Sequence, residues 1–193
     1  MSIHAIEPGF LLAAPRLGDP NFEGAVVLLG VHDDEGSLGW TLNGPLVDEA
    51  ATIVRATSLV SAGDSLPDTF NHPALRGGPV SPASVWILYK REGGDLELPG
   101  SISVGPAISV TGSVEALRTL IAGRGPETFR LIVGYAGWGP GQLASELARG
   151  AWLPGAADAS ILFGKDTTTL WQRAYAKTIG TIPQAFTSRR GSA

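Results

Sequence analysis

The chain has no cysteine, which excludes disulfides, thiolate metal sites and a cysteine nucleophile, and fits a reducing cytoplasm. Histidine is scarce: His4, His32 and His72 are the three, and none has the HxxxH or HExxH spacing of a helical zinc site. There is no Gly-x-Ser-x-Gly elbow, so a serine hydrolase would need an unusual arrangement. Basic excess is missing too. With 14 Lys and Arg against 18 Asp and Glu the net charge is −4, at a pI near 5.3. Such a chain lacks the broad positive field of non-specific nucleic-acid binders, and neither a helix-turn-helix signature nor a basic recognition helix is visible. Direct nucleic-acid binding is therefore disfavoured. The opening MSIHAIEPGFLLAAP has no basic leader region, and its apolar run is only about five residues. No signal peptide or membrane span is expected, and the chain reads as soluble and cytoplasmic.

What is present is enough for a core: 193 residues, 44% hydrophobic, with a mean hydropathy of +0.15. No repeat, low-complexity tract or long linker divides it. We expect one domain over residues 1–185 and a polar, disordered tail over 186–193, the polar character setting in at about Ile182.

Residues 9–14 and 22–31 are apolar runs that read as buried strands, with loop chemistry over 15–21 between them. Residues 22–43 form an expected hairpin over the acidic turn His32-Asp33-Asp34-Glu35. Asn43-Gly44-Pro45 then stops a strand and starts a helix with Leu46, Ala50, Ile53 and Val54 inward. Residues 58–75 read as a surface connection, and Gly77-Gly78-Pro79-Val80 as a tight turn. Strands follow over 85–90 and 96–104, joined at Glu92-Gly93-Gly94-Asp95, with a brief one at 108–110. Ser113 caps a helix with Val114, Leu117, Leu120 and Ile121 inward and Gly123 at its end. Near the end, residues 153–158 read as a loop before the short apolar run 161–163. A helix capped by Asp166 then carries Leu170, Trp171, Ala174 and Tyr175 on one face. Strands dominate the front half and helices alternate only loosely with them. The fold class is α+β, one compact domain with a mixed β-sheet, barrel-like closure left open, and a few short packed helices.

The most ordered stretch is FRLIVGYAGWGPGQLASELARGAW, residues 129–152. An apolar run broken only by Arg130 and Gly134 enters a turn with Gly137, Gly139 and Gly141, and a helix leaves it with Leu143, Ala144, Leu147 and Ala148 as its buried stripe. Pro140 suits the first helical turn, and Gly150 suits a left-handed residue past its end. Strand, glycine turn and helix in succession expose backbone N–H groups, a recipe for holding an anion or carbonyl.

Several constellations carry bland readings beside functional ones. Gly139-x-Gly141-x-x-Ala144, with Asp158 about twenty residues on, has the outline of a dinucleotide turn, but Pro140 removes a donor the pyrophosphate would use. Gly164-Lys165-Asp166-Thr167 resembles the end of a phosphate loop without its first glycine or its Ser/Thr. The 32–35 cluster could hold a hard cation but reads as a solvated hairpin tip. Glu146 is the one carboxylate tied to the glycine turn. It is the candidate acid or base, with an i, i+3 pair to Arg149 as the favoured alternative. Trp138 reads as a packing anchor or, failing that, as an exposed stacking or partner surface. Trp152 and Trp171 read as core.

The run from Gly134 to Leu143 with Glu146-Leu147 and Gly150-Ala151-Trp152 resembles the signature of the AlgH family of bacterial proteins, also called YqgE-like. Leu11-Leu12-Ala13-Ala14-Pro15 with Asp19-Pro20-Asn21-Phe22, Leu42-Asn43-Gly44-Pro45, and Gly77-Gly78-Pro79-Val80 match in the same order. One position departs: the family usually has Lys or Arg where this chain has Gly44. The resemblance implies a compact α+β domain and the label of a transcriptional regulator.

The resulting expectation is a non-catalytic regulatory protein that takes a small anionic ligand or a protein partner. Its expected site is built from Asn43, Gly77, Gly78, Gly137, Trp138, Gly139, Gly141 and Gln142, with Glu146 alongside and Gly77-Gly78 brought against the 137–141 turn. No metal or cofactor is expected. The alternative is an enzyme acting on a small anionic or nucleotide-like substrate at the glycine turn, with Glu146 as acid or base.

Overall fold

Short β-rich runs build the frame, and a computed structural model describes them over residues 6–15, 24–61, 63–92, 97–164 and 168–180. Expectations for His4, the 16–21 part of the first loop, the first two residues of the 22–31 run, Gly93-Gly94-Asp95, residues 165–167 including an Asp166 cap, and the tail lie outside these residues. In chain order the elements are β1 (Gly9–Ala13), β2 (Val26–Asp33), β3 (Gly36–Thr41), β4 (Leu46–Glu49), α1 (Ala50–Ala56), β5 (Pro73–Arg76) and β6 (Val80–Lys90). These are followed by β7 (Ile102–Val104), β8 (Ile108–Thr111), α2 (Val114–Ile121), β9 (Phe129–Trp138), α3 (Gln142–Ala148), β10 (Trp152–Gly155), α4 (Ala159–Leu162) and α5 (Leu170–Ile179).

The strands form one sheet in the order β10-β1-β2-β3-β9-β6-β8-β7, with β5 pairing β9 and β4 pairing β5. Among the described residues every strand pairing is antiparallel except β5 with β9, which is parallel. The sheet is therefore mixed, and it curls into a half-barrel: a methyl on Gly30 of β2 would stand 3.5 Å from Ile102 on the far edge strand β7. The concave face holds Leu12, Leu28, Trp40, Leu88 and Ile132, closed over by Ile161, Leu162, Leu170, Ala174 and Tyr175 of α4 and α5. On the convex face α1 and α2 cover Ile87, Tyr89 and Leu131, while α3 covers Val27, Leu29 and Ala136. Alternate residues of β6 and β9 serve opposite faces, and this is why both strands read as continuous apolar runs.

Several expectations give way to tertiary pairing. Leu46 starts β4 rather than a helix and is 59% exposed, because residues 46–49 pair with β5 and the helix begins only at Ala50. The 58–75 connection contains a 3₁₀ turn, Asp68–Phe70, whose Phe70 is fully buried, and then β5. Four residues are too few for a periodic signal, and the β9 edge supplies the ladder. The 96–104 strand shrinks to β7, since Gly100 at φ +66° turns the chain and the Leu98 N–H donates to the Tyr89 hydroxyl at 3.0 Å. Residues 152–155 form a strand despite Pro154, as an outermost strand permits. Val114 and Ala148 are exposed, and α5 has Thr169 at its N-cap.

Residues 161–163 belong to or flank α4, whose cap is Asp158: its carboxylate accepts the Ser160 and Ile161 N–H groups at 2.7 and 3.3 Å. Lys177 from α5 donates to the same carboxylate, tying the two helices together. Lys177 and the Ser160 hydroxyl hold the Asp158 carboxyl well below its ordinary value of 3.8. A depressed carboxylate stabilises the fold above its unfolded value, and the contribution fades as pH falls toward the folded one. Asn can still cap, so Asp158→Asn isolates the charge. In thermal melts its deficit against the natural protein is expected to be full at pH 7, to narrow below about pH 5, and to shrink in high salt because the pair is partly exposed. A deficit that stays constant down to pH 3 would refute this assignment.

Candidate functional site

β9 changes neighbours along its length, and three glycines make the change possible. Its first half lies between β5 and β6, with Leu75 opposite Ile132 and Ile87 opposite Leu131; its last residues pair with β3, with Gly39 opposite Ala136 and Ser37 opposite Trp138. The bend falls at Gly134, φ +71°. Gly77 spans the gap: its N–H donates to the Val133 carbonyl at 2.9 Å and its carbonyl accepts from Thr41 N–H at 2.8 Å. A Cβ on Gly78 would lie 2.3 Å from the Tyr135 carbonyl carbon and oxygen, and one on Gly134 would lie 2.7 Å from the Gly78 carbonyl. Gly77 and Gly78 thus meet β9 just before the glycine turn, so closely that not even a methyl group fits. Gly137 follows, where an added Cβ would stand 3.7 Å from the Val80 side chain.

Beyond the turn, Glu146 gathers three donors. Its Oε2 accepts the indole N–H groups of Trp138 and Trp152 at 2.9 and 2.7 Å, and its Oε1 accepts from Gln142 Nε2 at 2.9 Å. Gln142 in turn accepts the Gly139 N–H on Oε1 at 3.1 Å. Trp138 is 6% exposed and packs edge-on against Trp152, ring centroids 6.0 Å apart. Trp138 is therefore an anchor and not an exposed stacking surface, and Glu146 faces the two indoles rather than Arg149. Gly141, φ +69°, is the N-cap of a seven-residue helix, so Pro140 precedes the first turn instead of occupying it.

Of the remaining candidates, Asn43 braces β2, accepting Val26 N–H at 2.9 Å and donating to the Gly24 carbonyl at 2.8 Å. A Cβ at Gly44 would lie 2.2 Å from the Arg76 carbonyl, so this backbone has no room for the Lys or Arg expected from the resemblance. Asp33 closes the acidic hairpin by accepting the Glu35 and Gly36 N–H groups, and His32 bonds Ser37 at 2.7 Å. Among the described residues no three His, Asp or Glu side chains gather as a metal site.

The structure also shows a cleft that sequence reasoning missed. It has a volume of about 510 Å³ and lies between the 3₁₀ turn, β5, the start of β9 and the end of α4. Arg130, half-buried at the start of β9, donates to the Gly164 carbonyl at 3.0 Å. The Arg173 guanidinium packs against the same glycine, 2.7 Å from where its Cβ would be. Burial, and then Arg173, lower the Arg130 pKa, although arginine stays charged at neutral pH. His72 lines the cleft with Nδ1 2.9 Å from the Thr69 carbonyl. Burial, with Arg130 adding, pushes His72 below its ordinary 6.5, against the opposing Thr69 carbonyl and Glu49. Its imidazole is neutral at pH 7. The signal for Arg130 was its lone charge inside an apolar strand run; nothing local marked Thr69 or His72.

Fold and site together define a class: a single-domain α+β protein with a curled mixed sheet, glycine-mediated strand crossing and a polar cleft beside it. The AlgH-like (DUF179) family profile matches residues 10–183, and the chain belongs to that family. A UPF0301 protein of Anaeromyxobacter sp. strain Fw109-5 is 36% identical over 190 residues, covering 97% of this chain and 95% of that one. One from Myxococcus xanthus is 35% identical over 187 residues, covering 96% and 97%. The solution structure of AlgH from Pseudomonas aeruginosa superposes with a TM-score of 0.73 at 28% identity, covering 100% and 98%. A Corynebacterium diphtheriae crystal structure shares the fold, with a TM-score of 0.71 at 21% identity, covering 95% and 93%. No described helix is long and apolar enough to cross a membrane.

Proposed function

We propose that this protein works by binding rather than by catalysis, as a cytoplasmic regulatory protein that responds to a small anionic ligand or a protein partner. One observation carries the reading. Glu146, the acid-base candidate at the glycine turn, already accepts three side-chain hydrogen bonds, and a carboxylate so employed is a structural acceptor rather than a base poised for substrate. Gln142 and the Gly139 N–H are engaged with each other in the same way. The regulator label attached to the family then operates through a partner rather than through DNA, in keeping with the net charge of −4.

The test is a thermal-shift screen against nucleotides, sugar phosphates, amino acids and divalent cations, each compound followed by NMR for chemical change. A ligand present at a hundredfold its Kd stabilises the native state by about 2.7 kcal/mol. The expected result is a stabilising ligand that NMR finds unaltered after hours. Turnover that Glu146→Gln abolishes in a folded protein would overturn the reading, as would a tight, salt-sensitive complex with DNA.

A further inference from the structure

We propose that the cleft walled by Arg130, His72 and Phe163 binds a small organic oxyanion, a phosphate monoester or carboxylate, with the anionic group on the Arg130 guanidinium. This deepens the binding reading above and rests on it.

The charge argument comes first. Arg130 is a half-buried cation whose guanidinium, among the described residues, donates to a neutral carbonyl and has no carboxylate at ion-pair distance. A second guanidinium, Arg173, adds positive charge from the same side. Holding the Arg130 guanidinium partly out of water costs free energy unless an anion completes its surroundings. The planar guanidinium fork matches carboxylate and phosphate oxygens in geometry as well as sign. The described acids nearby do not fill that role: Glu127 is an exposed lining residue, and Glu49 acts on His72.

The shape argument gives the ligand a body. A volume of about 510 Å³ is too large for a bare inorganic ion and lies in the range of small-molecule sites. Leu46, Leu75, Phe129 and Phe163 supply apolar lining, while the exposed Thr69 and Asn71 supply polar groups. Leu46, 59% exposed where β4 replaces the expected helix, has its place as part of that lining.

The experiment uses the full chain and four probes at equal ionic strength: inorganic phosphate, glucose 6-phosphate, AMP and benzoate. Thermal shift and calorimetry report binding, and NMR reports turnover. The expected result is that at least one organic probe raises the melting temperature while inorganic phosphate does not; the esters and benzoate tell phosphate from carboxylate preference. Arg130→Met is expected to weaken that binding at least ~10-fold, since a charge-assisted bidentate contact is lost. Thr69→Glu, at an exposed position that leaves the core untouched, places a like charge at the mouth and is expected to weaken it several-fold, which keeps the test decisive should Arg130→Met fail to fold. The proposal is overturned if no organic probe binds, if inorganic phosphate binds as tightly as the esters, or if both variants bind as the natural protein does. Binding that survives both variants leaves the non-catalytic reading intact and removes the cleft, whereas turnover of a probe lost in Arg130→Met does the reverse.

Discussion

Glu146→Ala is expected to lower the unfolding free energy by about 2–4 kcal/mol, because two buried indoles lose the carboxylate oxygen they share and Gln142 loses its anchor. Hydrogen bonds to a charged acceptor contribute about 1.5–3 kcal/mol each, and a shared oxygen keeps the sum below three times that figure. The damage reaches further than one side chain. Gln142 holds the Gly139 N–H, and Trp138 and Trp152 pack with Leu143 of α3 and with Val27 and Leu29 of β2 in one buried cluster on the convex face. Glu146→Gln keeps one amide oxygen for the indoles but turns its NH₂ toward the NH₂ of Gln142, so about 1 kcal/mol is expected. Urea titrations followed by tryptophan fluorescence separate the two variants. An alanine variant as stable as the natural protein would show that the node holds nothing together.

Gly78→Ala is expected to cost at least about 3–5 kcal/mol, enough to leave a large share of the chain unfolded at 37 °C. Two penalties coincide at this residue. Gly78 sits at φ +152°, where an L side chain is strained, and its Cβ would fall 2.3 Å from Tyr135 backbone atoms and 2.5 Å from the Ala136 nitrogen. A flexible side chain could swing aside, but these atoms belong to β9, held on both sides by β3 and β6. Gly141→Ala is the control: it shares a positive φ of +69° but meets nothing within 4 Å, so only the conformational penalty of about 1 kcal/mol applies. If the two substitutions destabilise equally in chemical denaturation, the close crossing of Gly78 over β9 is not what the glycine is for.

The two variants also mark what a linear reading can see. Gly77-Gly78 was legible as a place where backbone does something a side chain forbids, but the pairing of Gly77 with Val133 and Thr41 joins segments far apart in the chain. Trp138, Gln142 and Glu146 stood out as a group because Trp138 sits in the glycine turn and Gln142 and Glu146 lie one helical turn apart just after it. Their spacing could not say whether the carboxylate faced solvent, Arg149 or an indole, since Trp152 enters only after the chain doubles back through Gly150. Arg130 was visible as a lone charge in an apolar run. Its meaning depended on Gly164 and Arg173, which arrive from α4 and α5 on the concave face.

By itself the sequence determined the family, the α+β class, the β2–β3 hairpin, the Ser113 cap of α2 and the inward face of α5, because capping and amphipathic periodicity act within a few residues and stay readable in one dimension. Tertiary structure alone decided that residues 46–49, 73–76 and 152–155 are strands, that Glu146 is a buttress, and that a cleft opens beside Arg130. Strands that short get their ladders, and Glu146 and Arg130 get their partners, from segments distant in the chain, so their roles exist only once the sheet has curled.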